Sequence, residues 1–187
     1  MKGEFFAIEE VKALELIERT GRMVPAHIGD AMKKTVEIKR IEDASELELM
    51  TDWMFDWWGK RENYSREAVR CCMEHSLKRE GLPQTYGLYL DGRLIGMYQF
   101  TCADLFVRPD IYPWLANVYI DEAHRCKGYG RLLLASVRSS AAEAGLTELY
   151  LFTEHGGLYE KFGWEFVEHI DTHLEPRMQR LYRLKIR

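Results

Sequence analysis

A mixed α/β domain is the fold class this chain predicts, and three observations predict it. The 187 residues are 47% hydrophobic and 30% charged, a globular balance, and a chain of that length ordinarily makes one domain with a substantial core. Apolar residues alternate in some stretches, as strands require, and recur at three and four positions in others, as helices require. An apolar run at 114–120 feeds through a basic, glycine-bearing turn into the strongest helical pattern of the chain, at 129–144.

The elements follow in order. Phe6, Val11, Leu14 and Ile17 stand at roughly helical spacing before Gly21 and Pro25, so residues 5–20 predict a helix and residues 1–34 an N-terminal helical extension to a domain at 35–187. Val36, Ile38 and Ile41 with interleaved charges predict a first strand over 35–41. Asp43 to Ser45 offer caps for a helix running to about Trp58, and Ser65 starts another whose apolar face is Val69, Cys72, Met73 and Leu77, stopped by Gly81-Leu82-Pro83. Residues 85–90 and 94–100 read as a hairpin around Asp91-Gly92, a pair tolerant of positive φ. After a loop holding Arg108-Pro109-Asp110 and Pro113, residues 114–120 suit a buried central strand. Tyr129, Leu133, Val137 and Ala141 then mark one helix face, with Arg131 and Arg138 toward solvent and Gly145 as a left-handed cap. A strand at 147–153, a short helix at 155–162 ended by Gly163, and strands at 164–168 and 179–186 complete the order.

Composition excludes several function classes. The net charge is −4, which argues against general binding to nucleic-acid phosphates and suits a cationic substrate. No apolar run approaches the roughly 20 residues of a membrane span, and Met1-Lys2-Gly3-Glu4 does not open a signal segment. A cytoplasmic protein with no membrane partner is expected. Cys71, Cys72, Cys102 and Cys126 show no CxxC spacing, so neither a metal site nor a disulfide framework is indicated, and three of them read as buried or inert thiols.

The chemistry concentrates between Val118 and Leu133. A strand end, a turn carrying Arg125, Lys127 and Gly128, and a helix start at Tyr129-Gly130-Arg131 together make an anion cradle. Free backbone N–H groups and the positive end of the helix dipole converge there, and glycines permit close approach. A pyrophosphate is the natural guest. A Rossmann GxGxxG would need glycine where Leu133 stands, and a P-loop would need Gly-Lys-Ser/Thr where Leu133-Leu134-Ala135 stands. Arg125-x-x-Gly128-x-Gly130 after a strand resembles the Arg/Gln-x-x-Gly-x-Gly/Ala signature of GNAT acetyltransferases. Tyr159-Glu160-Lys161-Phe162-Gly163-Trp164 is similar to the family's second block, with Trp164 where phenylalanine is usual. Cys126 occupies a position that is most often glycine in the family, and Thr153, Glu154 and His155 stand where an asparagine is often found.

The resemblance implies a central mixed, mostly antiparallel twisted sheet flanked by helices. It also implies an N-acetyltransferase moving acetyl from acetyl-CoA to a primary amine of a small molecule, by direct attack through a tetrahedral intermediate. The strand ending at Ile120 and the one at 149–153 would splay apart around coenzyme A. Val118, Tyr119 and Ile120 would contact the pantetheine through their backbone, Arg125, Cys126, Lys127, Gly128, Tyr129, Gly130 and Arg131 would hold the pyrophosphate, and an N–H near a strand bulge would stabilise the oxyanion. An amine with a pKa of about 10 must lose a proton before it attacks. Glu154 is the preferred base, with His155 and Asp104 beside it, and Tyr159 is the proton donor to the departing thiolate. Trp53, Phe55, Trp57 and Trp58 would wall the acceptor site, and Asp104, Asp110, Glu168, Asp171 and Glu175 would make it acidic. No metal is implied. A peptide or protein amine is the alternative acceptor, a non-catalytic acyl-CoA sensor the alternative from another class, and a homodimer the assembly that relatives suggest.

Overall fold

Eight strands hydrogen bond into one sheet in a computed structural model of the protein, which describes residues 24–26, 34–172 and 177–187. They are β1 (Val24–Ala26), β2 (Lys34–Ile41), β3 (Gln84–Leu90), β4 (Arg93–Thr101), β5 (Trp114–Ile120), β6 (Glu148–Thr153), β7 (Glu165–Asp171) and β8 (Met178–Lys185). The order across the sheet is β1-β2-β3-β4-β5-β6-β8-β7. Every neighbouring pair is antiparallel except β5 with β6. Among the described residues three α-helices flank it: α1 (Leu47–Met54), led by a 3-10 turn at Ala44–Glu46 and continued by a π-helical turn at Phe55–Gly59, α2 (Arg66–Glu74) and α3 (Tyr129–Glu143).

Local chemistry explains the boundaries. Asp91 and Gly92 both take left-handed backbone, φ 50° and 78°, the geometry whose twist matches a two-residue hairpin. Asp91 also ties the hairpin to β2, since its Oδ1 accepts from Thr35 N at 2.8 Å. Asp43 accepts from Ser45 N at 2.8 Å and Ser65 from Ala68 N at 3.1 Å, each cap satisfying a helix-end donor.

The period-two alternation of the strands sorts the core into layers. Ile95, Tyr98 and Phe100 of β4, Leu149 and Leu151 of β6 and Tyr182 and Leu184 of β8 face α3, where Leu133, Val137 and Ala141 are fully buried. On the opposite face Leu94 and Met97 meet Met50, Trp53 and Met54 of α1 and Val69 and Met73 of α2. Burying each large side chain contributes roughly 1.5–3 kcal/mol. Farther along that second face the cover changes. Trp114, Tyr150, Phe152, Ile170 and Leu181 are roofed by Leu105 and Ile111 of the β4–β5 loop, not by a helix.

Several expectations are corrected. Cys72 is exposed, because the helical repeat of α2 turns Val69, Met73 and then Ser76 inward and leaves Cys72 beside that stripe. All four cysteines are in fact exposed, sitting on an outer helix face or in loops. Residues 155–162 form only a 3-10 turn at Tyr159–Phe162, since Gly156-Gly157, the latter at φ 79°, lacks helix propensity. β7 extends to Asp171. Arg138 is exposed but also donates to the Lys185 carbonyl, fastening α3 to the end of β8. The expected helix at 5–20 lies outside the described residues, while Val24–Ala26, inside the 1–34 segment, pairs with β2. Among the described residues no helix is long and apolar enough to cross a membrane.

Candidate active site

A gap in the sheet makes the first half of the site. β5 and β6 run parallel but share one register pair, Trp114 with Tyr150, backed by Tyr150 N donating to Pro113 O at 2.9 Å. β5 stays paired with β4 as far as Ile120, and β6 with β8 as far as Thr153. The facing edges at Val118–Ile120 and 151–153 therefore diverge into a V that opens toward the strand ends. Within β5 the register slips: Gln99 faces Ala116 and Met97 faces Tyr119, so Tyr98 alone opposes both Asn117 and Val118. Asn117 takes φ 53°. A bulge of this kind takes one residue off the ladder.

At the mouth of the V, the chain after Ile120 builds an anion cradle. A 3-10 turn at Glu122–His124 is steadied by His124 Nδ1 and Asp121 Oδ2 at 2.7 Å. Cys126 and Gly128 are both left-handed, φ 59° and 83°, and alternating handedness turns successive N–H groups inward as a nest for an anion. Gly128 is the N-cap of α3 and no side chain caps that end, so the N–H groups of Tyr129 and Gly130 stay available to a ligand, while Arg131 N donates to Gly128 O at 3.0 Å. A Cβ built on Gly130 would meet only Ile120 Cγ1, at 4.0 Å, so the glycine leaves a bare groove. Arg125 braces the corner: its Nε donates to Ile120 O at 2.9 Å and its guanidinium lies 5.2 Å from the Tyr119 ring centre. Lys127 Nζ donates to Ala123 O at 2.7 Å. Lys127 thus supplies positive potential from a fixed position, while Arg125 shares its charge with Glu122 at 3.3 Å, and Arg131 stands on the first turn of α3. Nest, uncapped helix end and open V fit a pyrophosphate joined to an extended, amide-bearing arm, as coenzyme A is.

The residues expected to form the acceptor side lie on the opposite face, on α1 and its π-helical continuation and on the β4–β5 loop. Trp53 and Trp57, four residues apart, set their rings 5.3 and 5.6 Å from that of Tyr119; Trp57 is 45% exposed. The five carboxylates expected to acidify this end divide sharply. Arg108 holds Asp110 at 3.0 Å and Glu168 at 2.8 Å, and Arg177 holds Asp171 at 2.9 Å, while Glu175 lies outside the described residues. Asp104 differs. It is exposed on the loop between β4 and β5. Desolvation, and then repulsion from Glu62, push its carboxyl up to about 7.

The second block stands across the V. Tyr159 opens the 3-10 turn, mostly buried, its ring 6.1 Å from those of Trp164 and Tyr182. Burial pushes its phenol up to about 12, so it keeps its proton at neutral pH. Glu154 and His155 follow β6 as exposed residues, with His155 N donating to Thr153 Oγ1 at 3.2 Å. The V thus has the cradle residues and Val118–Ile120 on one arm and the segment from Glu154 to Tyr159 after the other.

Three residues escape sequence reasoning. Asn117 carried a signal, being a poor strand former that tolerates left-handed backbone inside an apolar strand pattern. Gln99 and Glu62 carried none, because their partners are distant in the chain.

The sequence matches the model of the acetyltransferase (GNAT) family over residues 47–164. No curated protein is matched. Among solved structures, an aminoglycoside 6'-N-acetyltransferase complexed with coenzyme A superposes with a TM-score of 0.62 at 14% identity, covering 80% of this chain and 97% of that one. A GNAT family acetyltransferase from Elizabethkingia anophelis with acetyl-CoA bound gives 0.58 at 14%, covering 80% and 97%. The acetyltransferase from Salmonella typhimurium that modifies the N-terminal serine of ribosomal protein L7/L12 gives 0.59 at 13%, covering 84% and 97%.

Proposed function

Because the chain belongs to the GNAT acetyltransferase family, we propose that it transfers the acetyl group of acetyl-CoA to a primary amine of a small molecule. The observation that carries the reading is the open V ending in an uncapped helix and a two-residue left-handed nest. Asn117 to Ile120 line the V with backbone donors and acceptors for the pantetheine, and residues 125–131 hold the pyrophosphate. The amine nitrogen attacks the thioester carbonyl, the C–S bond breaks, the amine proton passes to a base and the thiolate takes a proton from Tyr159. A backbone N–H at the bulge meets the oxyanion without a reorganisation cost.

Two carboxylates answer for the base. Glu154 sits in water at the end of β6. Asp104 sits on the acceptor face with its carboxyl near 7, where a general base is both deprotonated and basic enough to accept a proton, and we assign the role to it. The aromatic wall of Trp53, Trp57 and Tyr119, with the Asp104 carboxyl on the same face, favours a compact cation over a peptide.

Titration calorimetry with acetyl-CoA, followed by thiol release against a panel of small amines and N-terminal peptides, tests this. Saturable binding that Gly130→Val abolishes, with turnover on small amines, supports the reading. Absence of binding by the intact protein overturns it. Binding with turnover on peptides alone moves the acceptor to the peptide class, and binding with no turnover on any amine leaves a sensor.

A further inference from the structure

The bulge in β5 is anchored from below by a buried polar chain that no apolar packing requires. Asn117 Nδ2 donates to Gln99 Oε1 at 2.6 Å. Gln99 is 2% exposed, and its Nε2 donates at 2.8 Å both to Ser76 Oγ and to Thr85 Oγ1. Ser76 in turn bonds the Met73 carbonyl and Thr85 Oγ1, both at 2.6 Å, so the chain is rooted in the C-terminal end of α2 and in β3. Every hydrogen-bonding group of the Gln99 amide is engaged, which fixes its orientation.

The far end of this chain is the left-handed one. Asn117 holds φ 53°, a conformation that Asn tolerates better than most L-residues but adopts less readily than glycine, so one side-chain hydrogen bond is enough to favour it. Gln99 and Asn117 sit on adjacent strands where the register slips, so a bond between their side chains selects the bulged pairing over the regular one.

We propose that Gln99 is a positioning residue for the transfer reaction: through Asn117 it holds the bulge that presents a backbone N–H of the Asn117–Val118 pair to the thioester oxygen. It touches neither substrate. The proposal rests on the acetyltransferase reading above, and its test separates the two.

Gln99→Met keeps the bulk and removes the anchor, while Ser76 and Thr85 remain bonded to each other, so the fold is retained. Acetyl-CoA should bind this variant about fivefold more weakly, the reach of one net hydrogen bond, with affinity for free coenzyme A within about twofold, because the acetyl carbonyl depends on the bulge N–H while the pantetheine also bonds to Tyr119 and Ile120 beyond it. Turnover of a small amine should fall about tenfold or more in kcat with KM little changed. Glycine takes left-handed backbone freely, so in an Asn117→Gly background the same Gln99→Met change should cost much less. Equal weakening of acetyl-CoA and coenzyme A would mean a general structural role and overturn the proposal. If the unaltered protein binds neither, the acetyltransferase reading fails, and crystal structures still decide the anchor: residue 117 returning to extended backbone in Gln99→Met upholds it, and residue 117 remaining near φ 53° sinks it.

Discussion

Cys126 and Asp104 carry the clearest costs at the scale of single residues. Cys126 takes φ 59° in the middle of the cradle, a conformation that costs an L-residue about 1–2 kcal/mol. Cys126→Gly removes that strain but frees the unfolded chain, at about 0.4–1 kcal/mol. The variant is expected to gain up to about 1 kcal/mol, seen as a thermal midpoint raised by about 2–4 °C, with acetyl-CoA affinity unchanged by calorimetry. For Asp104 the sign is set by its raised pKa. The native state binds the proton more tightly than the unfolded chain does, so its contribution to stability is fully present at low pH and is lost as pH rises toward about 7. Asp104→Asn should therefore raise the melting temperature at pH 8 and leave it nearly unchanged at pH 4, while kcat falls about a hundredfold or more and the acidic limb of its pH profile near 7 disappears. An unchanged limb would return the role of base to Glu154. Tyr159→Phe should lower kcat without altering acetyl-CoA affinity, as single-turnover and calorimetric measurements can separate.

At the scale of elements, legibility followed sequence distance. The Asp91-Gly92 hairpin and α3 could be read because their determinants lie within a few positions: two residues tolerant of positive φ, and an apolar stripe ending at a left-handed Gly145, φ 76°. The cradle could be read for the same reason, except that nothing local revealed Arg125 turning back to brace Ile120. Non-local features were not legible. The sequence pattern turns Cys72 inward because hydrophobicity alone does not fix the rotation of a short helix, and the Gln99–Asn117 bond depends on strand register. Gly96 shows how tightly that register is held: a Cβ there would fall 2.8 Å from the Tyr119 carbonyl and 2.6 Å from Ile120 Cδ1. Gly96→Ala is expected to push the end of β5 away from β4, weakening acetyl-CoA binding by more than the loss of thermal stability accounts for. On the acceptor face, Trp57→Ala should raise KM for the amine and leave acetyl-CoA binding intact, a split that steady-state kinetics reads directly.

Across the whole molecule, the two halves of the sheet are joined between β5 and β6 by one register pair, while α3 and the core beneath it span both halves. A ligand lying in the V would bond to both strand edges and reach the native state alone. At a hundred times its Kd, acetyl-CoA should add about 2.7 kcal/mol of stability, a rise of roughly 5–10 °C for a chain of this size, and a truncated analogue lacking pantetheine should deliver visibly less. Hydrogen exchange should slow on binding at 117–120 and 151–153 and stay unchanged in the β2–β3–β4 portion.

On the acetyltransferase reading proposed above, the unfinished seam between β5 and β6 would also set a limit on speed. A substrate that serves as a missing strand becomes part of the architecture while bound, and the product departs only when that architecture is dismantled again. The better coenzyme A mends the sheet, the more slowly it leaves. Selection on such an enzyme acts on the grip of the seam as much as on its chemistry, favouring a sheet kept slightly torn so that turnover continues.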